Sequence, residues 1–193
     1  MLFPASSLAD SHEHRICYLM SHSIDGPLAF ALSTLLEPSS ILTDRLVPEL
    51  TQSDLKLSSY AELIDAALDR VSHWSHEQQA QFIAGHPRIG ETKALSHLSA
   101  KEQAERATPP EVLARLAHLN ACYERKYEGL RYITFVNGRS RAEIAIEMEE
   151  ALGLEHSFST DQPPLDTIEP VEVEGDAWKG EVTRAVGDSF EVE

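Results

Sequence analysis

Cysteine is nearly absent from this chain. Cys17 and Cys122 are the two that occur, and they are not spaced for a metal site or a redox pair. The simpler expectation is two free thiols in a reducing compartment. Basic residues are also scarce: 16 Lys and Arg stand against 32 Asp and Glu, a formal net charge of −16. Such a surface repels phosphate backbones and anionic lipids, so neither a nucleic acid nor a membrane is an expected partner. An anionic small molecule would need a local basic pocket. No stretch reaches the roughly 18 consecutive apolar residues that a spanning helix needs. The start, Met1 to Asp10, lacks the basic flank and long apolar stretch of a signal peptide. The end, Phe190-Glu191-Val192-Glu193, carries no peroxisomal tripeptide. The cytoplasm is the expected location, with the peroxisome as the alternative.

The 193 residues are 42% apolar and 25% charged, which suits a globular chain with a real core. The reading is one domain over 1–193, with a core of about 24–153, an acidic loop over 155–175 and a C-terminal helix over about 176–190. From Glu155 onward, eleven acids face only Lys179 and Arg184, a net −9 of the −16. Pro163, Pro164 and Pro170 fall in that stretch, which has no clear period and reads as a solvated loop.

Helical punctuation fills the rest. Pro27 suits a first turn ahead of Leu28, Leu32, Leu35 and Leu36. Ser59 and Glu62, Ser75 and Gln78, and Ser140 and Glu143 each form a capping-box pattern before an apolar run. Pro109-Pro110 opens a long helix with Val112, Leu116, Leu119, Tyr123 and Tyr127 on one face, ending near Gly129. Gly153 closes the helix that follows Ser140. Only Tyr132 to Val136 looks extended, with no partner strand in sight, so its backbone must be satisfied by other means. An all-α bundle follows, with Leu63, Leu68, Leu116, Tyr123, Ile144 and Met148 in its core.

Three segments carry the chemistry. In Gly85-His86-Pro87-Arg88-Ile89-Gly90, proline drives His86 out of helical geometry onto a stiff turn. That turn suits either an imidazole at a pocket mouth or a plain surface histidine. In Ser99-Ala100-Lys101-Glu102-Gln103, Ser-x-x-Glu is a capping box, and the same helix start also suits a carboxylate ligand. The extended Tyr132-Ile133-Thr134-Phe135-Val136-Asn137-Gly138-Arg139-Ser140 is either a loop crossing the core or a backbone surface for a planar, amide-rich ligand.

In order, Leu35-Leu36-Glu37-Pro38-Ser39, His86-Pro87-Arg88-Ile89-Gly90, Ser99-x-x-Glu102-Gln103, Leu119-Asn120-x-x-Tyr123-x-x-Lys126-Tyr127 and Tyr132 to Ser140 with Ala142-Glu143-Ile144 form a specific set. Over about residues 27 to 153 the chain resembles the 2-oxo-4-hydroxy-4-carboxy-5-ureidoimidazoline (OHCU) decarboxylase family. The resemblance implies an all-α enzyme of urate breakdown that uses neither metal nor organic cofactor and releases S-allantoin and carbon dioxide. It implies His86 as catalytic acid/base with Glu102 as its partner. Pro87, Ser99 and Gln103 match positions that line the substrate, and Tyr132 and Ile133 match a backbone segment that meets its ring. A homodimer is compatible with this reading.

The family also carries an arginine late in a C-terminal helix that helps bind the substrate's carboxylate. No arginine follows Arg184 here. The expectation is that Arg184 or Arg139 substitutes, or that a cation lies beyond Glu193. The alternative reading is an impaired relative that keeps the bundle as a binding or interaction module. A metallohydrolase, prompted by His73-x-x-His76 and His12-Glu13-His14, is disfavoured because the first pair straddles a helix break and no HExxH-like array occurs.

Overall fold

The computed structural model describes residues 26–53, 55, 57–91, 108–157 and 159–191. Every regular element among them is helical. Helix α1 (Pro27–Leu35) begins with proline in its first turn, where the missing N–H costs nothing. The chain then reverses at Glu37 (φ 64°) and passes through a π-helical turn (Leu42–Leu46) into the short α2 (Val47–Gln52). Next come α3 (Tyr60–Ser72), α4 (His76–Ala84), α5 (Pro110–Lys126) and α6 (Arg141–Leu152), a 3-10 turn (Leu165–Thr167), and α7 (Asp176–Ser189).

The caps act largely as the sequence reads. The Ser75–Gln78 and Ser140–Glu143 boxes close in both directions, and Gly153 ends α6 in the left-handed conformation at φ 72°. At α3 only half the box forms. Ser59 Oγ accepts from the Glu62 N–H, but the Glu62 carboxylate turns to the N–H and hydroxyl of Ser58, at 2.6 and 2.9 Å. Three donors near a helix start hold that carboxyl below its usual range, the Ser58 N–H contributing most.

The core follows helical spacing: Leu63, Ile64, Ala67 and Val71 of α3; Leu116, Leu119, Cys122 and Tyr123 of α5; Ile144 and Met148 of α6. Leu68 is only half-buried and packs against this core from its edge. Helix α7 packs on α4 and α3. It buries Trp178, Val182, Ala185 and Val186, and Phe190 just beyond its end stacks on Phe82 with ring centroids 5.5 Å apart.

The acidic stretch differs from a freely solvated loop. Most of its side chains face water, but its backbone is pinned by three residues of α5. Arg115 donates to the carbonyls of Ser159 (2.8 Å) and Gln162, and His118 Nε2 lies 2.9 Å from the Pro163 oxygen. The Val171 N–H donates to the Lys126 carbonyl at 2.9 Å. Arg115 is itself buried, with 4% of its side chain exposed, and forms an ion pair at 2.6 Å with Glu149, at 2%. A buried pair of this kind adds little net stability, but removing one partner strands a charge, at about 3–5 kcal/mol.

Arg115→Met is therefore expected to lose about 3–5 kcal/mol in chemical denaturation, and Arg115→Met combined with Glu149→Leu to recover most of it. Equal losses in the single and double variants would show that the pair does not carry this load.

Candidate active site

His86 follows α4 directly, its N–H donating to the Ile83 carbonyl at 3.0 Å. Gly85 explains the tight path. A Cβ there would sit 2.6 Å from Ser39 Cβ, so Leu36-Glu37-Pro38-Ser39 can press against the turn only because the residue is glycine. Beyond the histidine, buried Asn120 holds the Ile89 carbonyl at 3.0 Å, and Arg88 forks onto Glu124 at 2.5 and 2.9 Å. Gly90 takes φ 84°, which a side chain would resist. Residues of the second and fourth sequence segments thus lock the turn to α5.

His86 is not a surface histidine. It is 9% exposed, and its ring meets Phe82 edge-on at 5.1 Å. Nδ1 lies 3.2 Å from the Phe82 carbonyl oxygen. A carbonyl only accepts, which assigns the proton of the neutral ring to Nδ1 and leaves the lone pair on Nε2. Nε2 is buried and meets no hydrogen-bond partner among the described residues. Burial pushes the imidazole's pKa down; the Phe82 carbonyl and the buried carboxylate of Glu37 oppose that shift, and Arg131 adds to it. Neutral imidazole is the resting form.

Arg131, just before the extended segment, reaches this turn: its Nη1 donates to the His86 carbonyl. Tyr132 and Ile133 are buried, and Pro87 is half-exposed. The Tyr132 hydroxyl donates to Glu147 at 2.6 Å, and its ring meets Tyr123 edge-to-face at 5.3 Å. Arginines take the segment's carbonyls. Arg184 Nη1 reaches Ile133 O at 2.8 Å, while Arg139 donates to Phe135 O and to Val136 O, the latter at 3.1 Å. The N–H groups of Tyr132 and Ile133 meet no acceptor among the described residues.

Both arginines named as substitutes are paired. Arg139 is bonded to Glu147. Arg184 contacts Glu181 at 2.6 Å and Asp188 at 2.7 Å, and its guanidinium lies over the Tyr132 ring at 5.3 Å. Burial raises the Asp188 carboxyl despite this arginine. Helix α7 does turn Arg184 inward. Ser99, Glu102 and Gln103 lie outside the described residues, as do Cys17 and His12-Glu13-His14. His73 and His76 sit on opposite sides of the α3–α4 break, with His73 Nδ1 held by the Asp69 carbonyl at 2.6 Å. Sequence reasoning missed Arg131, whose partner His86 lies 45 positions away, and Glu147, whose donors come from the loop before its helix.

The sequence profile of the OHCU decarboxylase family matches residues 27–158, more than half of the 193. The chain belongs to the OHCU decarboxylase family. No curated protein and no solved structure matches it. The OHCU decarboxylase match supports a decarboxylase role in purine catabolism and a small-molecule substrate. It includes the His86 turn and the Tyr132–Ser140 segment and stops before α7. Among the described residues no helix is long and apolar enough to cross a membrane.

The depressed His86 pKa ties stability to pH. Above its unfolded value, about 6.5, the ring is neutral in both states and the stability is complete. As pH falls from there toward the lower folded value, only the unfolded chain takes up the proton, so stability falls by at most about 1.4 kcal/mol per pH unit. Denaturation between pH 7 and 5 is expected to show a steeper decline for the natural chain than for His86→Gln. Parallel curves would mean that the histidine is not held neutral.

Proposed function

We propose that this chain decarboxylates 2-oxo-4-hydroxy-4-carboxy-5-ureidoimidazoline to S-allantoin and carbon dioxide, without metal or organic cofactor. The observation that carries the reading is a buried, neutral His86 whose Nε2 meets no hydrogen-bond partner among the described residues, tied through Arg131 to a backbone whose Tyr132 and Ile133 N–H groups meet no acceptor among the described residues. Backbone N–H groups of this kind suit a ligand rich in carbonyls.

The chemistry suits these groups. The bond from ring carbon to carboxylate breaks, and its electron pair enters the neighbouring conjugated C–N system. Neutral His86 accepts the hydroxyl proton as that carbon becomes a carbonyl. The imidazolium then returns a proton to the adjacent ring carbon from one face, which fixes the hand of the product. A proton from solvent neutralises the ring nitrogen that received the pair. A histidine that rests neutral can take up a proton at Nε2 and pass it on, which is what such transfers require. In this proposal Glu102 orients the imidazole or grips the hydroxyl, Ser99, Gln103 and Pro87 line the substrate, and Arg139 shapes its backbone cradle. Arg184 is the better-placed cation for the substrate's carboxylate, since it already touches the Ile133 carbonyl. The second reading, a binding module without turnover, draws on the pairing of Arg184 with two acids, which offsets its charge.

Fresh substrate made from urate by the upstream enzymes separates the two readings when the optical activity of allantoin is followed. The chain is expected to speed formation of one enantiomer, and His86→Gln to slow it by about 10²–10⁴-fold. No acceleration over the spontaneous reaction overturns the decarboxylase reading. Arg184→Ala is expected to weaken substrate binding about ten- to a hundredfold, the value of a lost charge-assisted hydrogen bond. An unchanged KM would place the carboxylate elsewhere.

A further inference from the structure

Glu147 projects from α6 between the buried Ile144 and Met148, is half-buried, and gathers three donors onto one carboxylate. Oε1 accepts from the Tyr132 hydroxyl at 2.6 Å and from Thr134 Oγ1 at 2.7 Å, and Oε2 accepts from Arg139 Nη1. Arg139 carries the hold onward to Thr134 Oγ1 at 3.0 Å and to the carbonyls of Phe135 and Val136. Residues 132–139 have no strand beside them among the described residues, and this carboxylate ties the segment to α6. The residue before Tyr132 is Arg131, which donates to the His86 carbonyl. A continuous path of hydrogen bonds and covalent bonds therefore runs from Glu147 through Tyr132 and Arg131 to the backbone of His86.

We infer that Glu147 is a positioning residue for the reaction, setting the place of the Tyr132–Ile133 backbone and, through Arg131, of the His86 ring. This rests on the decarboxylase reading for its kinetic consequence but not for its geometric one. The carboxylate is suited to the task because it can accept from both hydroxyls and the guanidinium at once, and charge-assisted bonds are the stronger kind. Glutamine can still accept both hydroxyl bonds through its carbonyl oxygen. Alanine can accept none.

The test compares the natural chain with Glu147→Ala and Glu147→Gln, using kcat, KM, melting temperature and the NMR resonance of the His86 imidazole C–H, assigned with His86→Gln. Glu147→Ala is expected to lower kcat/KM by about a hundredfold, the scale of a misplacement near 1 Å, and to shift the His86 resonance. Glutamine is expected to restore most of both. If the alanine variant does not fold, Tyr132→Phe combined with Thr134→Val removes two of the three bonds and is expected to shift the same resonance. A lower melting temperature with unchanged kcat, KM and His86 resonance overturns the inference and leaves Glu147 a purely structural residue. If the natural chain shows no turnover, the decarboxylase reading fails on its own, and the His86 resonance still decides the role of Glu147.

Discussion

An extended segment without a neighbouring strand is the constraint on which the rest of this structure depends. Backbone polar groups removed from water must find partners, and residues 131–136 have no ladder to supply them. Arginines answer for the carbonyl side: Arg184 at Ile133, Arg139 at Phe135 and Val136. Guanidinium groups suit this because several fixed donors can serve two or three oxygens together. Each then needs a counter-charge. Glu147 serves Arg139, while Glu181 and Asp188 serve Arg184. The placing of acids on α6 and α7 follows from the unpaired segment they support.

The same logic reaches the histidine. Arg131, at the start of the segment, holds the His86 carbonyl from one side, and Gly85 lets Ser39 close in from the other. Phe82 covers the imidazole edge-on, and Phe190 backs Phe82. An imidazole enclosed in this way loses the solvation its charged form needs, so it rests neutral with its free lone pair inside the fold. The family match ends at residue 158, yet Arg184 and Glu181 come from α7 and Phe190 from just beyond it. The C-terminal helix completes surroundings that the matched part does not build alone, and the pinned acidic loop delivers it there.

Local signals in the sequence carried much of this. Ser75 with Gln78, Ser140 with Glu143, Pro27 and Gly153 mark helix ends through bonds made within a few residues, so they can be read without a fold. The unpaired character of Tyr132 to Val136 was legible for the same reason. Burial of His86 was not, because its surroundings are assembled from distant positions: Arg131 holds its carbonyl, and Phe190, more than a hundred positions on, backs its neighbour Phe82. Arg115 looks like a solvated helix charge until Glu149, 34 positions on, is folded against it. Glu147 sits on a helix face that the apolar pattern leaves unassigned, and its donors come from the preceding loop. The acidic loop reads as solvated because composition cannot reveal that three α5 residues hold its backbone.

In the proposed function, His86 and the Tyr132–Ile133 backbone face one ligand. A crystal structure of the chain soaked with allantoin tests it most directly. The expected result is a ring lying within hydrogen-bond reach of His86 Nε2 and of the Tyr132 or Ile133 N–H. Allantoin bound at a site that touches neither group, with His86 Nε2 still enclosed by protein alone, would contradict it.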